Sequence, residues 1–253
     1  EILITYILTY ARENNIPLIS INTAPFENEE NINDLIETFK PDFIKENFFQ
    51  YNLLEKHPLE NLLSKKRNML TRKINKAQAN DIEILKCSNN VEFKEWYKIY
   101  NERYLKIKAI PYPEVFYQLL WKHYKNTHNL KLYLASLNKK IIGGTLLLKG
   151  NNIVDYFASA YKQDFISLNP NTLVLDKVFK DLIKDNDTYF NWQSSPGKFG
   201  VYQYKKNWGA EEGVHYYLTK VTGNIDSILS YPLDLIKKEY PFCYVLPYDQ
   251  WSH

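Results

Sequence analysis

Between residues 130 and 193 the chain sets three strands in hairpin succession, then one long amphipathic helix, then a further strand. The three read LKLYLASL (130–137), KIIGGTLLLK (140–149) and NIVDYFASA (152–160), with NKK and GNN between them at hairpin length. The helix, NPNTLVLDKVFKDLIKDN (169–186), has apolar residues at helical spacing, Asn169 as N-cap and Pro170 at the first helical position. A crossover of that length makes TYFNWQ (188–193) parallel to 152–160. A meander that gains a parallel strand is a mixed sheet, and its crossover helix must cover one face. Few architectures satisfy both conditions.

The rest of the chain fits around that unit. DIEILK (81–86) reads as a strand, and helices over 90–107 and 113–126 are separated by IPYP, whose prolines enforce an extended turn. A short helix over 200–208 leads to a last strand, GVHYYLTKV (213–221). From Pro58, the residues Leu59, Leu63, Leu70 and Ile74 trace one face of a single long helix. Nearer the start, 2–11 reads as a helix, PLISIN as a buried strand, Asn31 or Asn33 as the cap of a helix ending at Phe39, and 47–54 as a strand. The order β-α-α-β-β-β-α-β-α-β predicts an α/β sandwich, of the α+β mixed-sheet kind.

Composition excludes several classes. With 253 residues and 45% hydrophobic content the chain buries a real core, and a net charge of +3 is too small for a nucleic-acid-coating protein. Cys87 and Cys243 form no spaced set, which points to a reducing, cytoplasmic setting without a disulfide framework. No apolar run approaches the ~20 residues that span a bilayer. The five histidines have no metal-ligand spacing, so no metal is expected, and there is no G-x-S-x-G elbow or Walker loop. The opening lacks a basic n-region and an initiator Met. Together with the sparse elements of 1–57, this predicts that further residues precede Glu1.

Three segments resemble the GNAT acyltransferase superfamily, and more narrowly its FemAB-like branch, the peptidoglycan-bridge aminoacyltransferases and their acyl-CoA-using relatives. SKKRNMLTRKINKA (64–77) is similar to the basic helix that introduces the branch's second domain. LNPNTLVLDKVF (168–179) looks like the start of its central helix. GVYQYKKNWGAE (200–211) is similar to its Gly-Val-Tyr-x-Phe-Lys-x-x-Phe-Gly-Ala motif, with Tyr204 and Trp208 in place of the commoner phenylalanines. The resemblance implies a GNAT-like fold: the later part of a truncated first domain over 1–57, a complete domain over 58–222, and a tail over 223–253 that packs back on the first domain. The glycine-rich pyrophosphate loop usual in the superfamily is missing after 152–160, where the chain reads YKQDFISLNPNT.

By the same resemblance the function is transfer of an acyl or aminoacyl group to an amine, with a catalytically inactive binding module as the alternative. No cofactor is tightly bound. Acyl-CoA or aminoacyl-tRNA serves as co-substrate, so the partners are a small-molecule donor and acceptor, and tRNA in the second case. The acceptor is an amine on a cell-envelope or surface-glycan precursor, which brings peripheral contact with a membrane-linked molecule. The donor's acyl group lies where strands 152–160 and 188–193 splay apart, a position favoured by ligands in open sheets.

Particular residues then acquire candidate roles. Asn169, Asn171 and Thr172 stand at a helix N-terminus, where they are either a cap alone or a cap with a phosphate site. Asn191 and Gln193 are polar, in register on one face of a buried strand, opposite Trp192; with Ser194 they are donor-binding candidates. Tyr202, Lys205 and Lys206 share a helix face at i, i+3, i+4. The family motif assigns Lys205 to oxyanion or phosphate stabilisation and less so Lys206, while Tyr202 orients or protonates a leaving group. Arg103 and Tyr156 are acceptor-binding candidates, Arg103 being equally readable as a snorkelling surface residue. The six basic residues of 64–76 (Lys65, Lys66, Arg67, Arg72, Lys73 and Lys76) read as a solvated face before an RNA contact.

Overall fold

The computed structural model describes residues 2–195 and 199–239. In chain order the first elements are α1 (Ile2–Glu13), β1 (Leu18–Asn22), α2 (Glu29–Phe39), β2 (Phe43–Leu53), α3 (Pro58–Asn61) and α4 (Ser64–Ala79). Next come β3 (Glu83–Lys86), α5 (Asn90–Lys106), α6 (Glu114–Tyr124), β4 (Leu130–Leu137), β5 (Lys140–Gly150) and β6 (Ile153–Tyr161). A 3-10 turn (Gln163–Leu168) leads to α7 (Pro170–Lys184), β7 (Tyr189–Gln193), α8 (Phe199–Asn207), β8 (Glu211–Val221), α9 (Asp226–Leu229) and α10 (Leu233–Glu239). The chain divides into two compact units: Glu1–Phe49 with Ser194–Gly197 and Glu212–His253, and Gln50–Gln193 with Lys198–Glu211.

In the second unit the strand order is β2-β7-β6-β5-β4-β3. Neighbours are antiparallel except β6 and β7, which are parallel as the crossover requires. Side-chain alternation sends Leu147, Val154, Phe190 and Trp192 to one face, where Leu70 and Ile74 of α4 and Val178 and Phe179 of α7 cover them. Leu132, Leu146 and Ala158 go to the other face, beneath Phe93, Trp96 and Tyr100 of α5 and Tyr117 and Trp121 of α6. The absence of a Cβ at Gly144 lets α5 approach: such an atom would stand 2.5 Å from the Tyr133 carbonyl and 3.0 Å from Trp96.

Charged groups also help to fix the register of α7. Asp181 accepts from the Tyr133 hydroxyl at 3.0 Å and from Lys86 and Lys177 at 2.8 and 2.6 Å. Burial pushes its carboxyl up, but the hydrogen bonds from Lys177, Lys86 and Tyr133 outweigh burial and hold it at about 2.

Three local expectations need correction. The stretch from Pro58 is two helices, not one: the chain breaks at Leu62 and Leu63, and Leu63 is 81% exposed rather than on the core face. Arg67 stabilises the break by donating to the carbonyls of Leu59, Glu60 and Leu62. The cap of α2 is Asn28, whose side chain accepts from the Asn31 N–H at 2.7 Å. At α7, Asn169 occupies the N-cap position, but its side chain caps nothing. It sits in the left-handed region (φ 61°) and its amide donates to the Ser167 carbonyl at 3.3 Å.

In the first unit the strand order is β1-β8-β2, with β1 and β8 antiparallel from Leu18↔Val221 to Asn22↔Tyr217. Gly213 leaves room for the Phe49 ring, which a Cβ would meet at 2.4 Å. His215 is buried on β8 between two asparagines: Nδ1 lies 2.6 Å from Asn22 Oδ1, and Nε2 lies 2.8 Å from Asn47 Nδ2. Of the tail, residues 240–253 lie outside the described residues.

Candidate active site

Strands β6 and β7 run side by side for three rungs, Ile153↔Tyr189, Val154↔Phe190 and Asp155↔Asn191, and then part. β6 continues to Tyr161 against β5 alone. The parting coincides with a bulge: Leu147 pairs with Tyr156 and Leu146 with Ala158, so Phe157 is the extra residue. A bulge ends pairing and re-aims the side chains that follow, which is why Tyr156 and Tyr161 face one side while Phe157 and Ala158 face the other. The splay that the family resemblance implies is therefore present, with a polar rung at its apex.

That rung also ends the strand. Asn191, only 1% exposed, donates to Asp155 Oδ1 at 2.8 Å, and its own Oδ1 accepts from the Gln193 N–H at 3.0 Å. This Asx-type turn lets Gln193 adopt a left-handed φ of 64° and end the strand. The Gln193 carbonyl receives the Lys205 ammonium at 2.9 Å. Lys205 is 4% exposed, so α8 holds a buried cation at the end of β7. The α8 C-terminus turns at Gly209 (φ 77°), where the amides of Trp208 and Ala210 return to the Lys205 carbonyl.

Lys206 and Tyr202 are half-buried on the same helix. The Lys206 carbonyl accepts from Lys66 and the Tyr202 carbonyl from Gln50, both at 3.3 Å. The loop between Ser195 and Phe199 lies outside the described residues. Ser194 groups with the first unit, where its hydroxyl accepts from Asn47 at 3.0 Å.

At the other side of the gap, the start of α7 meets α8. Asn171 donates to the Tyr204 hydroxyl at 3.2 Å, and Thr172 is buried. The amides of Thr172 and Leu173 already bond to the Asn169 carbonyl, at 3.1 and 3.4 Å. Burial drives the Tyr204 phenol well above its ordinary pKa, with Tyr156 adding to the shift. Burial likewise raises Tyr156. Thr145 lies 3.0 Å from both Ser159 and the Tyr161 hydroxyl, extending this neutral hydroxyl set across β5 and β6. Arg103 stands apart from it, donating to Gln163 Oε1 at 2.9 Å.

Sequence reasoning passed over Asp155. Burial raises its pKa and the Asn191 hydrogen bond pulls the other way, with a net rise. It is a carboxyl group at the last rung before the gap, with increased affinity for a proton. Its signal was the one charged residue in NIVDYFASA. Among the described residues no group of acidic, His or Cys side chains is arranged to hold a metal ion, and no helix is long and apolar enough to cross a membrane.

Comparison with known proteins follows the same architecture. FemX superposes with a TM-score of 0.66 at 12% identity, over 85% of this chain and 75% of that one. L-PGS from Bacillus licheniformis gives 0.64 at 11%, over 89% and 74%. A tandem GNAT protein from the clavulanic acid biosynthesis pathway gives 0.52 at 10%, over 87% and 69%. At these identities the likeness is one of fold. No curated protein matches in sequence. The acetyltransferase (GNAT) domain family matches residues 64–206, more than half of the chain and the whole of the gap between β6 and β7. The chain belongs to that family, with the fold of its FemAB-like branch, and is an acyltransferase.

Proposed function

We propose that the protein transfers an acyl or aminoacyl group from acyl-CoA or aminoacyl-tRNA to an amine of a cell-envelope or surface-glycan precursor, by direct attack in the gap between β6 and β7. The amine nitrogen attacks the carbonyl carbon of the thioester or ester. The tetrahedral oxyanion then collapses, the C–S or C–O bond breaks, and the leaving group takes a proton. The attacking nitrogen loses one. Asp155, with its raised proton affinity, receives the amine's proton; Lys205 stabilises the developing negative charge; Tyr202 serves the leaving group. Holding donor and acceptor in one gap supplies much of the rate. Asn171, Thr172, Asn191, Gln193 and Ser194 bind the donor, with Asn169 and Lys206 at its margin, and Tyr156 binds the acceptor, Arg103 joining it only where the acceptor is long enough to reach Gln163.

The observation that carries this reading is the buried Lys205 ammonium on the Gln193 carbonyl, where β6 and β7 have just parted. A donor with a charged leaving group would use a fixed cation in that place. Both donors are made in the cytoplasm, which is where the reaction is placed. The decisive experiment is single-turnover assay of the purified chain with a panel of acyl-CoA thioesters and charged tRNAs, each offered to aminosugar and peptidyl amine acceptors. Formation of an amide with loss of donor is the expected result. Tight donor binding without turnover on any acceptor would instead favour a binding module.

A further inference from the structure

The turn between α5 and α6 gathers exposed aliphatic side chains in one short stretch. Four successive side chains from Leu105 to Lys108 face solvent, as do Ile110, Tyr112 and Val115; Ile110 is 75% exposed and Leu105 59%. Ala109 alone of residues 105–110 is buried. The turn is nevertheless well tied. The Ala109 N–H donates to the Tyr104 carbonyl at 2.9 Å and the Lys108 N–H to the Leu105 carbonyl at 3.0 Å. The Tyr112 N–H donates to the Tyr100 hydroxyl at 3.2 Å, and the Tyr97 hydroxyl donates to the Tyr112 carbonyl at 3.1 Å. Pro111 and Pro113 fix φ on either side of Tyr112. Aliphatic side chains clustered on an ordered backbone offer a surface suited to docking on another.

Charge identifies what that is. From Arg103 to Pro113 the chain carries three basic residues and no acidic one, with Glu102 and Glu114 as the flanking acids. Lys106 and Lys108 alternate with Leu105 and Ile107. A helix or groove on a protein partner would call for a one-sided apolar stripe. Successive side chains exposed all round the backbone suit a fluid that surrounds them. Aliphatic tips can enter the edge of the hydrocarbon while lysines reach back to lipid phosphates and a tyrosine lies at headgroup level.

We propose that the α5–α6 turn docks the protein on an anionic lipid bilayer, with Ile107 and Ile110 inserted and Lys106 and Lys108 on the headgroup phosphates. The turn also borders the gap, because the Tyr112 ring stacks 6.2 Å from Phe157, the bulged residue where β6 leaves β7. An acceptor carried in the membrane would meet the gap from this side. The docking itself is read from the turn and needs no transfer reaction, so the two fail separately.

Flotation of the whole chain with vesicles of phosphatidylcholine, with and without about one third phosphatidylglycerol, tests it. Partition at least ~10-fold stronger to the anionic vesicles, weakening with salt, is expected. Ile107→Ser with Ile110→Ser should lower partition ~10-fold or more at unchanged melting temperature. Lys106→Gln with Lys108→Gln should lower it by roughly 5-fold per lysine, on anionic vesicles only. Equal partition of wild type and the isoleucine variant would overturn the proposal. So would absence of vesicle binding by a chain whose self-association the isoleucine variant abolishes, since the turn would then serve a second copy.

Discussion

Lys205 and Asp155 are one charge pattern seen from two ends, a cation buried at the end of β7 and a carboxyl at the last rung of β6. Lys205→Met keeps the length and removes the charge. Its loss falls on the transition state, so kcat should drop ~100-fold or more in a transfer assay. Because the Gln193 carbonyl then loses a buried donor, a stability cost of ~1–3 kcal/mol should accompany it in thermal or urea unfolding. Lys206→Met, on a half-buried side chain, should cost little of either. Full activity in Lys205→Met would remove its catalytic role. Asp155→Asn makes the opposite case. A carboxyl whose folded pKa is raised favours folding below the ordinary carboxylate pKa and loses that contribution as pH rises through the folded value. The neutral amide should therefore leave stability at pH 7 unchanged or higher while lowering kcat, and should remove the acid limb of the kcat/KM profile. An unaltered acid limb in Asp155→Asn would assign that limb to another group.

Helix α7 shows what sequence does and does not disclose about an element. Its length, its apolar stripe and the parallel strand beyond it were all legible in residues 169–193, because periodicity and crossover length are properties of the chain itself. The role of Asn169 was not. Asparagine is favoured both as a side-chain cap and as a left-handed residue, and the sequence cannot separate the two; the structure has the second. Asn169→Gly should accordingly be tolerated, whereas Asn169→Ala should cost ~1 kcal/mol in equilibrium unfolding. A side-chain cap would give the same order for Ala and Gly, so Asn169→Ser separates the two: serine caps well but is strained in the left-handed region, and a Ser variant as stable as the wild type would revive the cap. Asn171→Ala removes the bond to Tyr204 and should weaken donor binding by ~1–2 kcal/mol. The break between α3 and α4 escaped for a different reason. Leu59, Leu63, Leu70 and Ile74 keep helical spacing across it, while the bonds that stabilise it come from Arg67, whose reach back to three carbonyls leaves no mark on the pattern. The Asn191–Asp155 rung is likewise a contact across 36 residues, visible in sequence only as two polar letters in apolar strands.

At the scale of the whole chain, ionisable groups are used differently in the two compact units. In the second unit Asp176 and Asp181 are buried against lysines; at Asp176 burial raises the carboxyl but His57 and Lys180 more than offset it. Among the described residues of the first unit the buried titratable side chain is His215, placed between two amides and beside the rings of Phe49 and Tyr217, at 6.1 and 5.3 Å. Asn22 Oδ1 accepts from Nδ1–H, and Nε2 accepts from the Asn47 amide, so the imidazole is bonded as the neutral form. Burial lowers its pKa below the ordinary 6.5. The sign follows from proton linkage: below pH 6.5 the unfolded chain takes up a proton that the folded unit resists, so stability falls as the solution is acidified. The contribution is complete above pH 6.5 and declines through the window between that value and the lowered one. Protonated, Nε2 would also present a donor to the Asn47 NH2, and the amide would have to turn over, releasing Ser194 from its bond with Asn47 Nδ2. Amide exchange along β8 should therefore accelerate between neutral pH and pH 5 after correction for intrinsic rates. His215→Gln, which can both donate to Asn22 and accept from Asn47, should flatten that dependence at little cost in stability at pH 7.5. If β8 exchange in the variant follows the same pH curve as in the wild type, the acid sensitivity of this unit has its origin elsewhere, in carboxylates that protonate at lower pH.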